Sequence, residues 1–283
     1  MAWLNHLPEH INPNILSVGA FHLRYYSLMY VVALAVIYLL ARYRLKDEKI
    51  EYSRETVSRY LLWAMFGAVV GGRLGHVIYE FKSYAPDLLS AFLPFNFSGG
   101  FHLTGYSGMS YHGGLIGVLL ITVLFCRKNG INIWRFADLF SPAFPLGYMF
   151  GRLGNFINGE LYGRITAVPW GMYFPLDPIH RLRHPSQLYE ALFEGLFLFL
   201  ILWMLRKPRR YDGFLFSLYL IGYGTARFFI EFAREPDRLI GNLFTPGQIF
   251  CVGMIVSGVI IILIKSRSRY SSFDDHINGQ DQH

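Results

Sequence analysis

The chain has 283 residues, 53% hydrophobic and 16% charged, with 17% aromatic and a positive mean hydropathy. Soluble domains carry about a quarter charged residues, so this composition excludes an ordinary soluble protein and points to one that lives in lipid. A formal net charge of +7 is also seen in nucleic-acid binders, but here the basic residues flank apolar stretches, as in membrane-protein loops, and no nucleic acid is expected.

The amino terminus, MAWLNHLPEH, lacks a basic n-region and a small-residue cleavage site, so no removed signal peptide is expected. Seven stretches then read as spans: residues 26–41, 60–79, 111–126, 136–156, 187–205, 213–230 and 245–264. The expected fold is all-α, a polytopic membrane bundle of about seven helices forming a single membrane domain over residues 1–269. With the amino terminus outside, inner loops hold 16 Lys and Arg and outer segments hold 7. The positive-inside rule therefore sets N outside and C inside.

Two outer segments exceed simple turns. Residues 82–110, rich in aromatics, glycine and proline, are expected to form an arm along the membrane–water interface. Residues 157–186, polar and proline-bearing, read as a small outer cap. Residues 270–283 read as a polar, disordered inner tail. Cys126 and Cys251 are too few for a disulfide framework and read as packing.

Arg73, Arg152 and Arg227 sit inside apolar spans, where each charge costs about 2.5–3.5 kcal/mol even on a lenient scale. Arg73 lies 13 residues after Tyr60, Arg152 13 after Leu139 and Arg227 14 after Gly213. At 1.5 Å per residue that is about 20 Å from the inner edge, in the outer half of a core about 30 Å thick. Two readings stay open: each arginine pairs with a carboxylate and knits helices, or the three share an anion such as a lipid phosphate, which guanidinium binds bidentately. Arg73 pairing with Glu80, two turns on, is the structural version of the first.

Neighbours extend the pattern. Asn155 shares a face with Arg152, and Tyr223 and Glu231 flank Arg227 at four-residue spacing. His112 opens the third span, as a helix-start hydrogen bonder or as an acid or base near neutral pH. Glycines 67, 71, 75, 113, 117, 147 and 151 form small-residue faces suited to close helix packing. Gly72-Arg73-Leu74-Gly75 recurs as Gly151-Arg152-Leu153-Gly154, a short internal repeat. Gly105-Tyr106-Ser107-Gly108 has the G-x-S-G form of intramembrane serine proteases, but lies in the outer arm and not at a buried helix start.

Longer words carry a resemblance. GMSYHGGLIG at residues 108–117 resembles the H-G-G-L-I-G motif of the prolipoprotein diacylglyceryl transferase family, and GRLGNFINGELYG at 151–163 is similar to its signature. RHPSQLYEA at 183–191 and YGTARFFIEFAREPD at 223–237 resemble two further blocks. RYYSLMY at 24–30 resembles R-W-Y-G-L-M-Y, with Tyr25 and Ser27 departing from it. The resemblance implies a seven-span bacterial inner-membrane enzyme open to the periplasmic leaflet, with residues 157–186 as its periplasmic cap. It implies transfer of diacylglyceryl from phosphatidylglycerol to the lipobox cysteine of prolipoprotein signal peptides, forming a thioether and releasing glycerol phosphate. By motif position it implies Arg152 at the lipid phosphate, with His112, Arg227, Tyr26, Asn155, Glu160, Gly163 and Glu231 at other essential positions. Arg73 is added to the substrate-binding set from its depth alone.

The residue chemistry agrees. Displacing a phosphate from carbon needs developing charge neutralised in a dry site, which arginines supply. A thiol with a pKa near 8.5 needs a base or a positive field. No metal-ligand spacing appears, so no cofactor is expected. The competing function is an anionic-phospholipid transporter or flippase, which would want polar residues through both leaflets.

Overall fold

The computed structural model describes residues 2–18, 21–84, 95–96, 102–103, 108–207, 211–236 and 244–280. It is mostly helical and divides into two compact units, Ile50–Phe136 and the union of Met1–Lys49 with Ala137–His283. Strands β1 (Asn14–Val18) and β2 (Phe21–Arg24) pair antiparallel in front of helix α1 (Tyr25–Asp47). Then follow α2 (Arg54–Tyr79), α3 (Tyr111–Lys128), α4 (Ile133–Phe140), α5 (Ala143–Ile157), α6 (Ser186–Met204), α7 (Phe214–Ile230) and α8 (Pro246–Gln280).

Among the described residues five helices are long and apolar enough to cross a membrane: α1, α2, α3, α6 and the Pro246–Ser266 part of α8. Two expected spans differ. α7 has 17 residues, and the stretch read as one span over 136–156 is broken between α4 and α5. The break has a local cause. Pro142 has no N–H for the carbonyl of Asp138, four residues back. The freed carbonyls of Asp138 and Leu139 are taken instead by Nη1 of Arg44, at 2.6 and 2.7 Å, while Glu48 grips the other side of that guanidinium. Arg44, counted as a loop charge from sequence, is thus a buried helix cap. The Asp138 carboxylate in turn accepts from the backbone N–H groups of Gly213 and Phe216, each at 2.8 Å, and so starts α7.

In the Ile50–Phe136 unit, α2 and α3 pack through their glycines. A Cβ on Gly67 would come within 2.8 Å of the Gly117 carbonyl, and one on Gly75 within 2.8 Å of Gly113 Cα. Tyr60 locks the end of the pair away from Gly75, bonding Thr122 at 2.9 Å with Phe125 and Phe136 edge-on. In the larger unit Gly147 packs on Ile37 of α1, but Gly151 faces open space, so the packing expected of it is absent. The tail expected to be disordered continues α8 as helix to Gln280: once nucleated, a helix extends at one hydrogen bond per residue fixed. Most of the expected outer arm, and all of the G-x-S-G match except Gly108, lie outside the described residues.

The segment expected as a cap is ordered around Phe156, Met172 and Phe174. Arg183 is its buckle: it grips Asp177 with two bonds of 2.8 and 2.9 Å and reaches Glu235 at 2.8 Å. That guanidinium holds the Asp177 carboxyl below the usual carboxylate range. Burial lowers the His184 imidazole below its ordinary value.

Candidate active site

The end of α5 explains why the signature reads as it does. Gly159, at φ 69°, takes the left-handed conformation that terminates a helix. Gly159 N–H then donates to Phe156 O at 3.0 Å and Glu160 N–H to Asn155 O at 3.1 Å, the paired bonds of a Schellman stop. This folds Glu160 back beneath Asn155, whose Nδ2 donates to the Glu160 carboxylate at 2.9 Å. Asn155 Oδ1 is left to accept from Arg152 Nη1 at 3.2 Å, one turn earlier. Arg152, Asn155 and Glu160 are therefore one hydrogen-bonded row.

The far side of Arg152 meets α6. Residues Glu190–Phe197 are wound as a π-helix, a form that often marks functional sites, and both Glu190 and Glu194 are completely buried. Glu190 collects three guanidinium groups: Arg152 Nε at 2.7 Å, Arg227 Nη1 at 2.9 Å and Arg234 Nη1 at 2.6 Å. Tyr148 adds a hydroxyl, donating to Glu190 at 2.9 Å and accepting from Arg152 Nε at 2.7 Å. Arg227 Nη1 stands 3.8 Å from the Glu194 carboxylate.

Glu231 completes the group. It lies 3.2 Å from Arg227 Nη2 and 3.5 Å from Arg234 Nε, and accepts from Thr245 Oγ1 at 3.0 Å. Gly163 acts through backbone: a Cβ there would strike the Ala233 carbonyl and come within 2.9 Å of His184 Cβ. Its close bridge to Arg234 ties the segment after α5 to the chain just past α7.

Arg152 and Arg227 thus share a level, as their helix positions imply, and the first of the two open readings accounts for their pairing: both grip a carboxylate. They differ in what remains. Arg227 faces three carboxylates. Arg152 keeps Nη2 without a protein partner among the described residues, with its side chain 16% exposed.

Tyr26 lies against Gly154, where a Cβ would meet its ring at 3.3 Å, and shares a 2.8 Å hydrogen bond with Tyr30. His112 and Arg73 belong to the other unit. Helix α3 is capped by Ser110, whose Oγ accepts from Gly113 N–H at 3.2 Å, so His112 is not the cap; it is exposed, edge-on to Tyr111. Arg73 is buried, donates to Gly108 O at 3.2 Å and stacks over Tyr84 at 5.4 Å.

Sequence reasoning passed over Glu190, Glu194, Arg234, Tyr148 and Tyr30. The signal for the first two was available: a carboxylate within an apolar span is as costly as an arginine there. Arg234 and Tyr148 carry no such mark, because they become partners only through the folding of α5, α6 and α7, and Tyr30 stands one turn from Tyr26 on α1.

With this geometry in place, similarity searches add a family. A family model described as prolipoprotein diacylglyceryl transferase matches residues 13–264. A phosphatidylglycerol–prolipoprotein diacylglyceryl transferase of Chlorobaculum tepidum is 48% identical, covering 98% of this chain and 98% of the relative. Similarly named proteins of Campylobacter hominis and Bordetella avium are 39% and 40% identical over 98% and 90% of this chain.

Proposed function

The chain belongs to the prolipoprotein diacylglyceryl transferase family, and from that premise we propose how its residues perform the transfer. It is a membrane transferase that moves diacylglyceryl from phosphatidylglycerol to prolipoprotein. The finer chemistry is a displacement at carbon. The lipobox thiol loses its proton, its sulfur attacks the glyceryl carbon next to the phosphate, and the C–O bond breaks with its electron pair on the phosphate oxygen. A thioether forms and glycerol phosphate leaves.

One observation carries the site assignment: Arg152 is held on its Nε side by Glu190 and Tyr148 and on Nη1 by Asn155, leaving Nη2 open. A guanidinium fixed in this way needs no reorganisation as charge builds on the leaving phosphate. Glu160 and Asn155 set the orientation of Arg152. Arg227 and Glu231 supply the balanced charge behind it, and Tyr26 and Gly163 shape the walls. His112 is the proposed acceptor of the thiol proton, since an imidazole suits that task near neutral pH, and Arg73 is proposed to assist the anionic head group. The buried charges of α5, α6 and α7 gather around one carboxylate, which favours a one-sided site over a flippase path.

The same reading places the enzyme in a bacterial inner membrane with seven spans, N terminus periplasmic, C terminus cytoplasmic, residues 157–186 as a periplasmic cap and 82–110 as an interfacial arm. Arg152→Lys tests the phosphate assignment: it keeps the charge and loses the fork, so transfer should fall at least about tenfold at normal protein level. Full turnover by the lysine variant would make Arg152 a structural partner of Glu190.

A further inference from the structure

Tyr26 and Tyr30 stand one turn apart on α1, with hydroxyl oxygens 2.8 Å apart and rings edge-to-face at 4.9 Å. Each phenol carries one proton, and the two share one hydrogen bond, so among the described residues one hydroxyl proton stays undonated. The environments of the two differ. The Tyr26 ring is pinned against Gly154 of α5, one residue from Asn155 and two from Arg152. Tyr30 is 51% exposed, and because Met29 packs on Gly154 and Ile37 on Gly147, it lies on α1 between the levels of Gly154 and Gly147, the stretch of α5 that carries Arg152. Tyr30 is therefore the phenol with room to meet a ligand beside Arg152, while Tyr26 is half-buried against α5.

We propose that Tyr30 is a further catalytic residue, a hydroxyl that donates to the phosphate of the lipid donor beside Arg152, and that Tyr26 is the residue that positions it. Tyr26 donates its proton to Tyr30 Oη. That fixes the Tyr30 hydroxyl, so its own proton points outward, and the chain of two donors polarises toward the acceptor. As the C–O bond breaks, the phosphate oxygen gains negative charge and the Tyr30 bond strengthens with it, which lowers the barrier more than it strengthens ground-state binding. No proton changes hands between the phenols and the phosphate. The proposal rests on the assignment of Arg152 to that phosphate.

The test uses the full chain in nanodiscs containing phosphatidylglycerol, with a lipobox peptide as acceptor. Tyr30→Phe, Tyr26→Phe and the double variant are followed for kcat, for KM toward the lipid, and for melting. Tyr→Phe keeps each ring, so melting should stay at the wild-type value. Tyr30→Phe should lose about tenfold in kcat with little change in KM. Tyr26→Phe should lose a part of that, and the double variant should fall no further than Tyr30→Phe alone. Wild-type kcat for Tyr30→Phe would overturn the proposal, as would losses in the two single variants that multiply in the double, or a Tyr30→Phe loss matched by a lower melting point. Arg152→Lys, measured in parallel, separates the two levels. An inactive lysine variant beside a fully active Tyr30→Phe sinks the Tyr30 role alone, and a fully active lysine variant sinks the phosphate assignment beneath it.

Discussion

Replacing Glu190 by glutamine should damage the enzyme more than replacing any single arginine around it. The glutamate accepts from Arg227, Arg234 and Tyr148 at 2.6–2.9 Å, stands 2.7 Å from Arg152 Nε and has no solvent exposure. Glutamine keeps the shape but removes the charge and turns one acceptor into a donor facing guanidinium groups. Breaking a buried ion pair by removing one partner costs about 3–5 kcal/mol. Glu231 stays near Arg227 and Arg234, so the expected loss lies at the lower end, about 3 kcal/mol. At about 1.4 kcal/mol per factor of ten, that is roughly a hundredfold shift toward the unfolded or locally opened protein. Activity should fall by at least as much, because Arg152 loses the carboxylate that fixes its Nε edge. Glu190→Asp, one methylene shorter, should recover part of the stability but not the activity, since it cannot reach all four donors. The assay is melting in nanodiscs beside the initial rate of transfer. Wild-type melting together with wild-type turnover in Glu190→Gln would refute the idea that this carboxylate organises the site.

Two other outcomes follow from the same structure. The Asp177 carboxyl is held low by the Arg183 fork; a folded-state value below the unfolded one gives stability that is complete above about pH 4 and lost as pH falls through the folded value. The cap should therefore resist limited proteolysis at neutral pH and open only in stronger acid, whereas Asp177→Asn should be cleaved already at pH 7; opening of the wild type near pH 6 would contradict the pairing. A reporter fused after Arg210 should read cytoplasmic and one inserted near Asp177 periplasmic, and the reverse pattern would overturn the orientation drawn from the basic residues.

Much of the membrane part was legible because lipid leaves a strong mark on sequence. Long apolar runs located α1, α2, α3, α6 and α8, and the glycine faces of α2 and α3 were visible as spacing before their contact was seen. The break within 136–156 was not legible because hydropathy does not register the missing N–H of Pro142, nor that Arg44, some 94 residues from Asp138, would satisfy the carbonyls it frees. The site was half legible. Arginines inside apolar runs stand out, so Arg152 and Arg227 were found together, and the family words supplied Asn155, Glu160 and Glu231. What could not be read was the partner each arginine takes, because Glu190 reaches them only after α6 winds as a π-helix against α5 and α7. The depth argument also grouped Arg73 with the other two; it belongs to the Ile50–Phe136 unit, where it donates to Gly108 O and stacks over Tyr84.

The most direct measurement is of the product itself. Purified protein in nanodiscs should convert a lipobox peptide and phosphatidylglycerol into a peptide carrying diacylglyceryl as a thioether on its cysteine, with one glycerol phosphate released per thioether formed, and Arg152→Lys should form both at least about tenfold more slowly. Movement of phosphatidylglycerol between leaflets without any thioether, or a thioether yield unaffected in Arg152→Lys, would contradict the account.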